Sequence, residues 1–119
     1  VPVFKNTSKN FFSLPNELFF LNIGHGVITV YAYLLYCEDR RTHQCHPSYR
    51  TISDVVHLTV STVMKHITKL ADRQFITVES TSYIDKRGMK WNGNNLYTIL
   101  PIQMAMDYCY QQQLLRLEA

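Results

Sequence analysis

The sequence predicts a mainly α-helical domain that closes with a small β-hairpin, and two patterns indicate this. Between Ile52 and Ala71, apolar residues recur at three- and four-residue steps, the period of helices with one buried face. Two later runs, 75–83 and 96–100, are rich in β-branched and aromatic residues and flank a glycine-containing connection. With 119 residues, of which 46% are hydrophobic, the chain is long enough for one domain with a sizeable core.

The N-terminal part predicts a tail followed by two helices. We expect residues 1–12 to form the tail, and Ser13 to cap a short helix that tolerates Pro15 in its first turn. The apolar residues expected to close over the core from this part are Phe11, Phe12, Phe19, Phe20 and Leu21. The apolar run 27–37 begins with β-branched residues, but its length favours a helix over a buried strand.

Residues Tyr49–Ile76 predict two helices joined by a tight turn. Ser48 and Thr59 each precede a helix and can cap it, because their hydroxyls accept from backbone N–H groups that lack a partner. Leu58 is expected to point into the angle between the two helices. The turn has no glycine, so His57 must adopt a left-handed conformation, which histidine tolerates better than most residues. The order helix, turn, capped helix is the helix-turn-helix pattern.

The second of these helices has an apolar and a polar face. The residues expected in the core from this helix are Val60, Val63, Met64, Ile67, Leu70 and Ala71, and those from the helix before it are Ile52, Val55 and Val56. The polar face carries Ser61, Thr62, Lys65, His66, Lys69 and Arg73. Hydroxyl groups followed by cations suit a DNA major groove, where the first turns meet base edges and the cations meet phosphates. An ordinary solvated face is the alternative interpretation.

A basic hairpin follows the second helix directly. Its cations and its tryptophan, which we expect to be exposed, are Lys86, Arg87, Lys90 and Trp91. From Arg40 to Leu100 there are nine basic and four acidic residues, a net charge of +5, whereas the remainder has three and five, a net of −2. The positive charge therefore coincides with the polar helix and the hairpin, as a DNA footprint requires.

The segment Cys45–Ile76, with a hairpin that closes on Asn94–Pro101, resembles the winged helix-turn-helix DNA-binding family. It is most similar to the domains of plasmid and phage replication initiators and related bacterial regulators. The resemblance covers Leu14–Pro101, and we assign residues 13–102 to this domain. It implies double-stranded DNA as the partner and either replication initiation or transcriptional regulation as the process. In such a domain the basic hairpin is the wing.

We expect phosphate contacts at the helix starts, from Ser48, Tyr49, Arg50 and Thr59. The wing would straddle the DNA backbone or minor groove. A function of another class stays open, namely a winged-helix module that binds proteins and no DNA. Trp91 and the terminal helix would then form its contact surface.

Residues 103–119 predict a C-terminal helix with an apolar stripe. The stripe consists of Met106, Tyr110, Leu114 and Leu117, with Met104, Tyr108 and Leu115 beside it. This helix either packs on the domain's own first helix or forms the seam of a homodimer. Both interpretations are compatible with the pattern.

Other chemistry has little support in the sequence. The segment Cys37–His46 holds two cysteines and two histidines, but it lacks the paired C-x2-C spacing of zinc sites, so we expect no metal and place Cys37 and Cys45 in the core. There is no P-loop, no GxGxxG and no catalytic cysteine pattern, so we expect no cofactor and no enzymatic activity.

Location follows from composition. Three cysteines without a framework spacing, no secretory signal and no apolar run of roughly twenty residues indicate the cytoplasm rather than a membrane. The chain begins with Val1 rather than methionine, as expected of a fragment excised from a longer protein.

Overall fold

The computed structural model describes residues 11–118. A short 3₁₀ helix at Asn16–Phe20 comes first. The elements that follow are α1 (His25–Cys37), β1 (Gln44–Cys45), α2 (Tyr49–Val56), α3 (Val60–Asp72), β2 (Ile76–Glu79), β3 (Ser82–Ile84), β4 (Lys90–Asn92), β5 (Leu96–Ile99) and α4 (Ile102–Glu118). The mainly α-helical fold with a small β-hairpin, expected from the sequence, is confirmed.

Local chemistry forms the helix-turn-helix as the sequence predicts. The hydroxyls of Ser48 and Thr59 each accept a hydrogen bond from the backbone N–H three residues later, at 3.0 and 3.3 Å. His57 ends α2 in the left-handed conformation, with φ 59° and ψ 40°. The Ser53 hydroxyl donates to the carbonyl of Leu58, and the Leu58 side chain is half-buried against the core. These contacts fix the direction in which α3 leaves the turn.

The core lies where α1 meets the helix-turn-helix and the sheet. Tyr31 of α1 and Phe75, which follows α3, are both buried. Their rings pack edge to face, with centroids 5.3 Å apart. Burial raises the pKa of Tyr31 to about 12, so its hydroxyl stays neutral at every ordinary pH. Val63, Ile67 and Leu70 carry α3 into the same cluster. The core therefore holds α3 by one face and leaves the opposite face outside.

The sheet has one strand more than the sequence indicated. Its order is β1-β5-β2, antiparallel throughout, with Ile76 opposite Ile99 and Cys45 opposite Tyr97. The unexpected strand is β1, which is too short to show a period in the sequence. The burial expected for Cys45 is confirmed, and Cys37 is half-buried beside the core.

The N-terminal segment differs from its prediction. The short helix begins after Pro15, which occupies the capping position itself, so the cap expected at Ser13 is wrong. Leu18, Leu21 and Ile23 are buried, but the closure expected of most phenylalanines is wrong, because the exposed ones are Phe11, Phe19 and Phe20. Phe12 is half-buried and lies edge-on to Tyr36. A 3₁₀ helix turns every three residues, which puts Leu18 and Leu21 on one face.

The buried stripes of α2 and α3 are narrower than expected. Val55, Val60 and Met64 are exposed by 51%, 40% and 45%, so the core positions predicted for them are wrong. Helical periodicity alone sets only the centre of a stripe, and residues at its edges are buried only where a neighbouring element covers them. In this fold the sheet and α1 cover only the centre of the α3 stripe and leave its edges exposed.

The left-handed turn leads to a prediction on stability. Replacing His57 by glycine relieves the cost of a Cβ in this conformation, so the free energy of unfolding should rise by about 1 kcal/mol. His57→Ala is the matched control, because it removes the exposed imidazole but keeps the Cβ, and it should give no stabilisation. Chemical denaturation measures both variants. Equal stability of the glycine and alanine variants would contradict this account of the turn.

Candidate nucleic-acid interface

The outward face of α3 is an open, shallow groove along the helix. It is lined by Ser61, Met64, Lys65 and Thr68, all of them exposed. The sequence interpretation did not include Thr68 in this face, and it placed Met64 in the core. Helical spacing could have indicated both, because Met64 lies three residues after Ser61 and Thr68 lies three residues after Lys65. The Thr68 hydroxyl donates a hydrogen bond to the Met64 carbonyl at 3.0 Å, so its oxygen can still accept one from a partner.

Thr62 and Thr59 are joined to each other at the start of α3. The Thr59 hydroxyl donates to the Thr62 hydroxyl at 2.8 Å while it accepts from the Thr62 backbone N–H. Thr62 is half-buried, and Ser61 beside it is exposed. Of the two hydroxyls predicted to meet base edges, that of Ser61 is therefore the more accessible.

The cations further along α3 turn toward the segment that precedes α1. The Lys69 ammonium donates to the carbonyl of Ile23 at 3.0 Å. The Arg73 guanidinium donates to the carbonyls of Leu21 and Asn22, both at 3.4 Å. Both side chains are half-buried. They fasten the second half of α3 to the rest of the domain, a structural role that the sequence pattern did not indicate.

His66 faces α1 rather than the groove. A Cβ added at Gly26 would lie 2.6 Å from the His66 Nε2 atom, so the ring sits directly on the first turn of α1. Burial, then the neighbouring Lys69 and His25, lower the pKa of His66 below its ordinary value. At neutral pH the imidazole is uncharged, and it belongs to the packing between α1 and α3.

The start of α2 and the segment before it are joined to the residues that precede β5. The Tyr49 hydroxyl accepts from the Asn95 side chain at 2.9 Å, and Asn94 donates to the His46 carbonyl at 3.1 Å. Arg50 is exposed, whereas the hydroxyl of Ser48 is engaged as the helix cap. Of the residues expected to contact phosphate here, Arg50 has the most accessible side chain.

The wing has more order than the sequence indicated. Residues 84–95 were expected to be a hairpin connection of turn-forming residues, but part of this stretch is strand, because β3 and β4 form a second antiparallel ladder with Tyr83 opposite Trp91. Lys90 and Trp91 lie in β4, and the turn itself is residues 85–89. Lys86, Arg87 and Lys90 are exposed, and Trp91 is exposed by 50%, as expected.

Asp85 organises the tip of the wing. Its carboxylate accepts from the Trp91 indole N–H at 2.9 Å and from the backbone N–H groups of Arg87 and Met89 at 2.9 and 3.0 Å. Gly88 completes the turn at φ 80°, a conformation suited to glycine. These bonds, led by that from Trp91, lower the pKa of Asp85 below its usual range. The Asp85 carboxylate therefore bonds to groups within the wing, whereas the cations of the wing are exposed to solvent.

In the segment Cys37–His46, the side chains of His43 and Cys45 contact other protein groups. The Cys45 thiol donates to the Leu34 carbonyl at 3.6 Å, and the His43 ring lies 3.3 Å from the Glu38 carboxylate. Burial raises the pKa of Cys45 to about 12, which makes it a poor nucleophile. Within residues 11–118, no three His, Cys, Asp or Glu side chains cluster as metal ligands would. None of the helices in that range has the length and apolarity to cross a membrane.

Known proteins share this architecture. Residues 21–76, from the segment before α1 to the start of β2, match the family model of a helix-turn-helix domain. A solved structure of a possible transcriptional regulator from Methanosarcina mazei Go1 aligns with a TM-score of 0.52 and 21% identity. The alignment covers 82% of this chain and 76% of that one, and at this identity it shows a common fold. Among curated proteins the chain has no significant match.

The hydrogen bonds of Asp85 lead to a prediction on pH. Because the pKa of Asp85 is lowered in the folded wing, its contribution is complete above the ordinary carboxyl range and is lost as pH falls through the lowered value. The Trp91 indole N–H resonance should therefore stay constant from pH 7 to 5 and shift only in stronger acid. Asp85→Asn should abolish that titration. An indole shift that titrates above the ordinary aspartate range would contradict the assignment.

Proposed function

We propose, from the winged helix-turn-helix architecture and the match of residues 21–76 to a helix-turn-helix domain, that this chain binds duplex DNA in a sequence-specific manner. The α3 helix would enter the major groove, and the wing would lie on the flanking backbone or minor groove. The observation that carries the proposal is the exposed groove along α3, where Ser61, Lys65 and Thr68 present two hydroxyl oxygens and one ammonium to solvent. Such groups discriminate base edges in the major groove.

The proposed contacts divide into two kinds. Ser61, Lys65 and Thr68, with Thr62 beside them, would meet base edges. Phosphates would be met by Arg50 and the wing cations Lys86, Arg87 and Lys90, with Trp91 packing against the backbone between them. Lys69 and Arg73 would add positive potential from positions already fixed by their carbonyl partners. His66, neutral and packed on α1, would support the helix rather than touch DNA.

The process served by this binding is proposed to be transcriptional regulation or replication initiation. Both require a protein that recognises a duplex site, and the geometry of α3 and the wing fits either. A DNA partner agrees with the reducing cytoplasm predicted from the cysteines. The non-DNA alternative would use the half-exposed Trp91 and α4 as a protein-binding surface.

Selection of bound duplexes from a random pool tests the proposal. We expect a defined motif, because the α3 groove offers base-specific donors and acceptors. Binding should also weaken with salt, at a log–log slope of about −0.9 for each phosphate contacted. Failure to enrich any motif, together with no duplex binding at low salt, would favour the protein-interaction module instead.

We further propose that the chain forms a homodimer through α4. Ala105 is buried, and Ile102, Met106 and Cys109 pack against the core, so the first half of the helix belongs to the domain. The second half exposes its apolar side chains, Tyr110 by 61%, Leu114 by 40%, Leu115 by 58% and Leu117 by 82%. An apolar strip of this kind can pair with its own copy about a two-fold axis.

Base contacts and phosphate contacts should respond differently to mutation. Lys65→Ala and Ser61→Ala should relax the preference at one base position each, by about 1–3 kcal/mol. Arg87→Ala should weaken all duplexes equally and reduce the salt slope by about 0.9. Arg41→Ala, an exposed cation between α1 and β1, is the control. An unchanged motif in the Lys65 and Ser61 variants would show that α3 does not select the sequence.

The α4 strip should govern self-association. A two-fold dimer would place two α3 helices about one DNA turn, roughly 34 Å, apart. Leu114→Glu with Leu117→Glu should therefore shift sedimentation to the monomer and weaken a two-half-site duplex far more than a single half-site. Gln111→Glu, on the same helix, controls for added charge. A wild-type chain that sediments as a monomer at high micromolar concentration would refute the dimer.

A further inference from the structure

A cavity of about 190 Å³ lies between the residues that follow α3, the segment that follows the 3₁₀ helix, and one side of α4. Two arginines, Arg73 and Arg116, line it from different parts of the chain. We name it the arginine cavity. It does not include the groove residues of α3 or any residue of the wing.

The positive charge of the two arginines is not neutralised by any other residue that lines the arginine cavity. No aspartate or glutamate lines it, and within the described part of the chain neither arginine has an ion pair. Arg73 does donate to two carbonyls, but at 3.4 Å these hydrogen bonds are longer than the usual 2.9–3.0 Å. A carboxylate would offer shorter, charge-assisted bonds of about twice the strength of neutral ones.

The remaining lining indicates what kind of anion fits. Phe20, which is exposed by 85%, supplies apolar surface, Tyr108 supplies an aromatic ring, and Gln112 supplies an amide. A bare inorganic anion would leave the apolar surface without a partner. The volume is below that of the roughly 300–1,000 Å³ sites that take drug-sized ligands, so the occupant is smaller.

We propose that the arginine cavity binds a small carboxylate with a planar, apolar body. The carboxylate would pair with Arg73 and Arg116, and the apolar body would lie against Phe20 and Tyr108. The guanidinium fork matches both oxygens of a carboxylate. A DNA phosphate fits this site less well, because its sugars and neighbouring phosphates would meet the apolar side. An anion bound here would contact Arg73, the residue that caps the end of α3.

The test titrates the full chain, without DNA, with benzoate and follows the arginine Nε–H resonances by nuclear magnetic resonance. Benzoate should shift the Arg73 and Arg116 signals to saturation. Benzamide, which has the same shape without the charge, should bind at least tenfold more weakly. Loss of a charge-assisted hydrogen bond implies a similar factor, so Arg116→Gln should weaken benzoate about tenfold or more.

Controls separate a built site from general anion attraction. Arg41→Gln, with its exposed guanidinium outside the cavity, should leave benzoate binding unchanged. Equal affinity for inorganic phosphate and benzoate would overturn the apolar part of the proposal, and no saturable shift at tens of millimolar benzoate would overturn it altogether. Because no DNA is present, failure here leaves the proposed DNA binding untouched.

Discussion

The architecture depends on the burial of one face of α3. Val63, Ile67 and Leu70 are inserted against α1 and the sheet, and this fixes the rotation of the helix about its own axis. Which side chains point outward follows from that rotation alone. Each methylene removed from this stripe would cost about 1 kcal/mol and loosen the rotation as well. The groove of Ser61, Lys65 and Thr68 is thus a consequence of the core.

Hydrogen bonds at both ends of α3 reinforce this orientation. At its start the Thr59 cap and the left-handed His57 set the angle to α2, and at its end Lys69 and Arg73 hold the segment before α1. The cations on this helix therefore serve two purposes. Lys65 is exposed and available to a partner, whereas the two later cations keep the helix in place. A sequence pattern that counts cations on a face does not separate these two uses.

What could be predicted from the sequence is what local chemistry determines. The caps at Ser48 and Thr59, the turn at His57 and the exposure of Trp91 follow from near neighbours, and all are confirmed. The carbonyl partners of Lys69 and Arg73 lie 46 and 52 residues away, and periodicity carries no information on such pairs. The burial predicted for Val60 and Met64, at the edges of the α3 stripe, is wrong for a related reason, because it depends on which element packs beside them. The strand β1 was missed because two residues show no period.

The proposed function rests on the outward face of α3 meeting duplex DNA, and an amide chemical-shift titration tests this most directly. The chain would be titrated with a duplex at low salt, and the shifted amides mapped on the sequence. The account predicts that the largest shifts fall on residues 61–68 and on the wing at 86–91, with little change across 110–117. Shifts confined to α4, or no shift with any duplex, would contradict it.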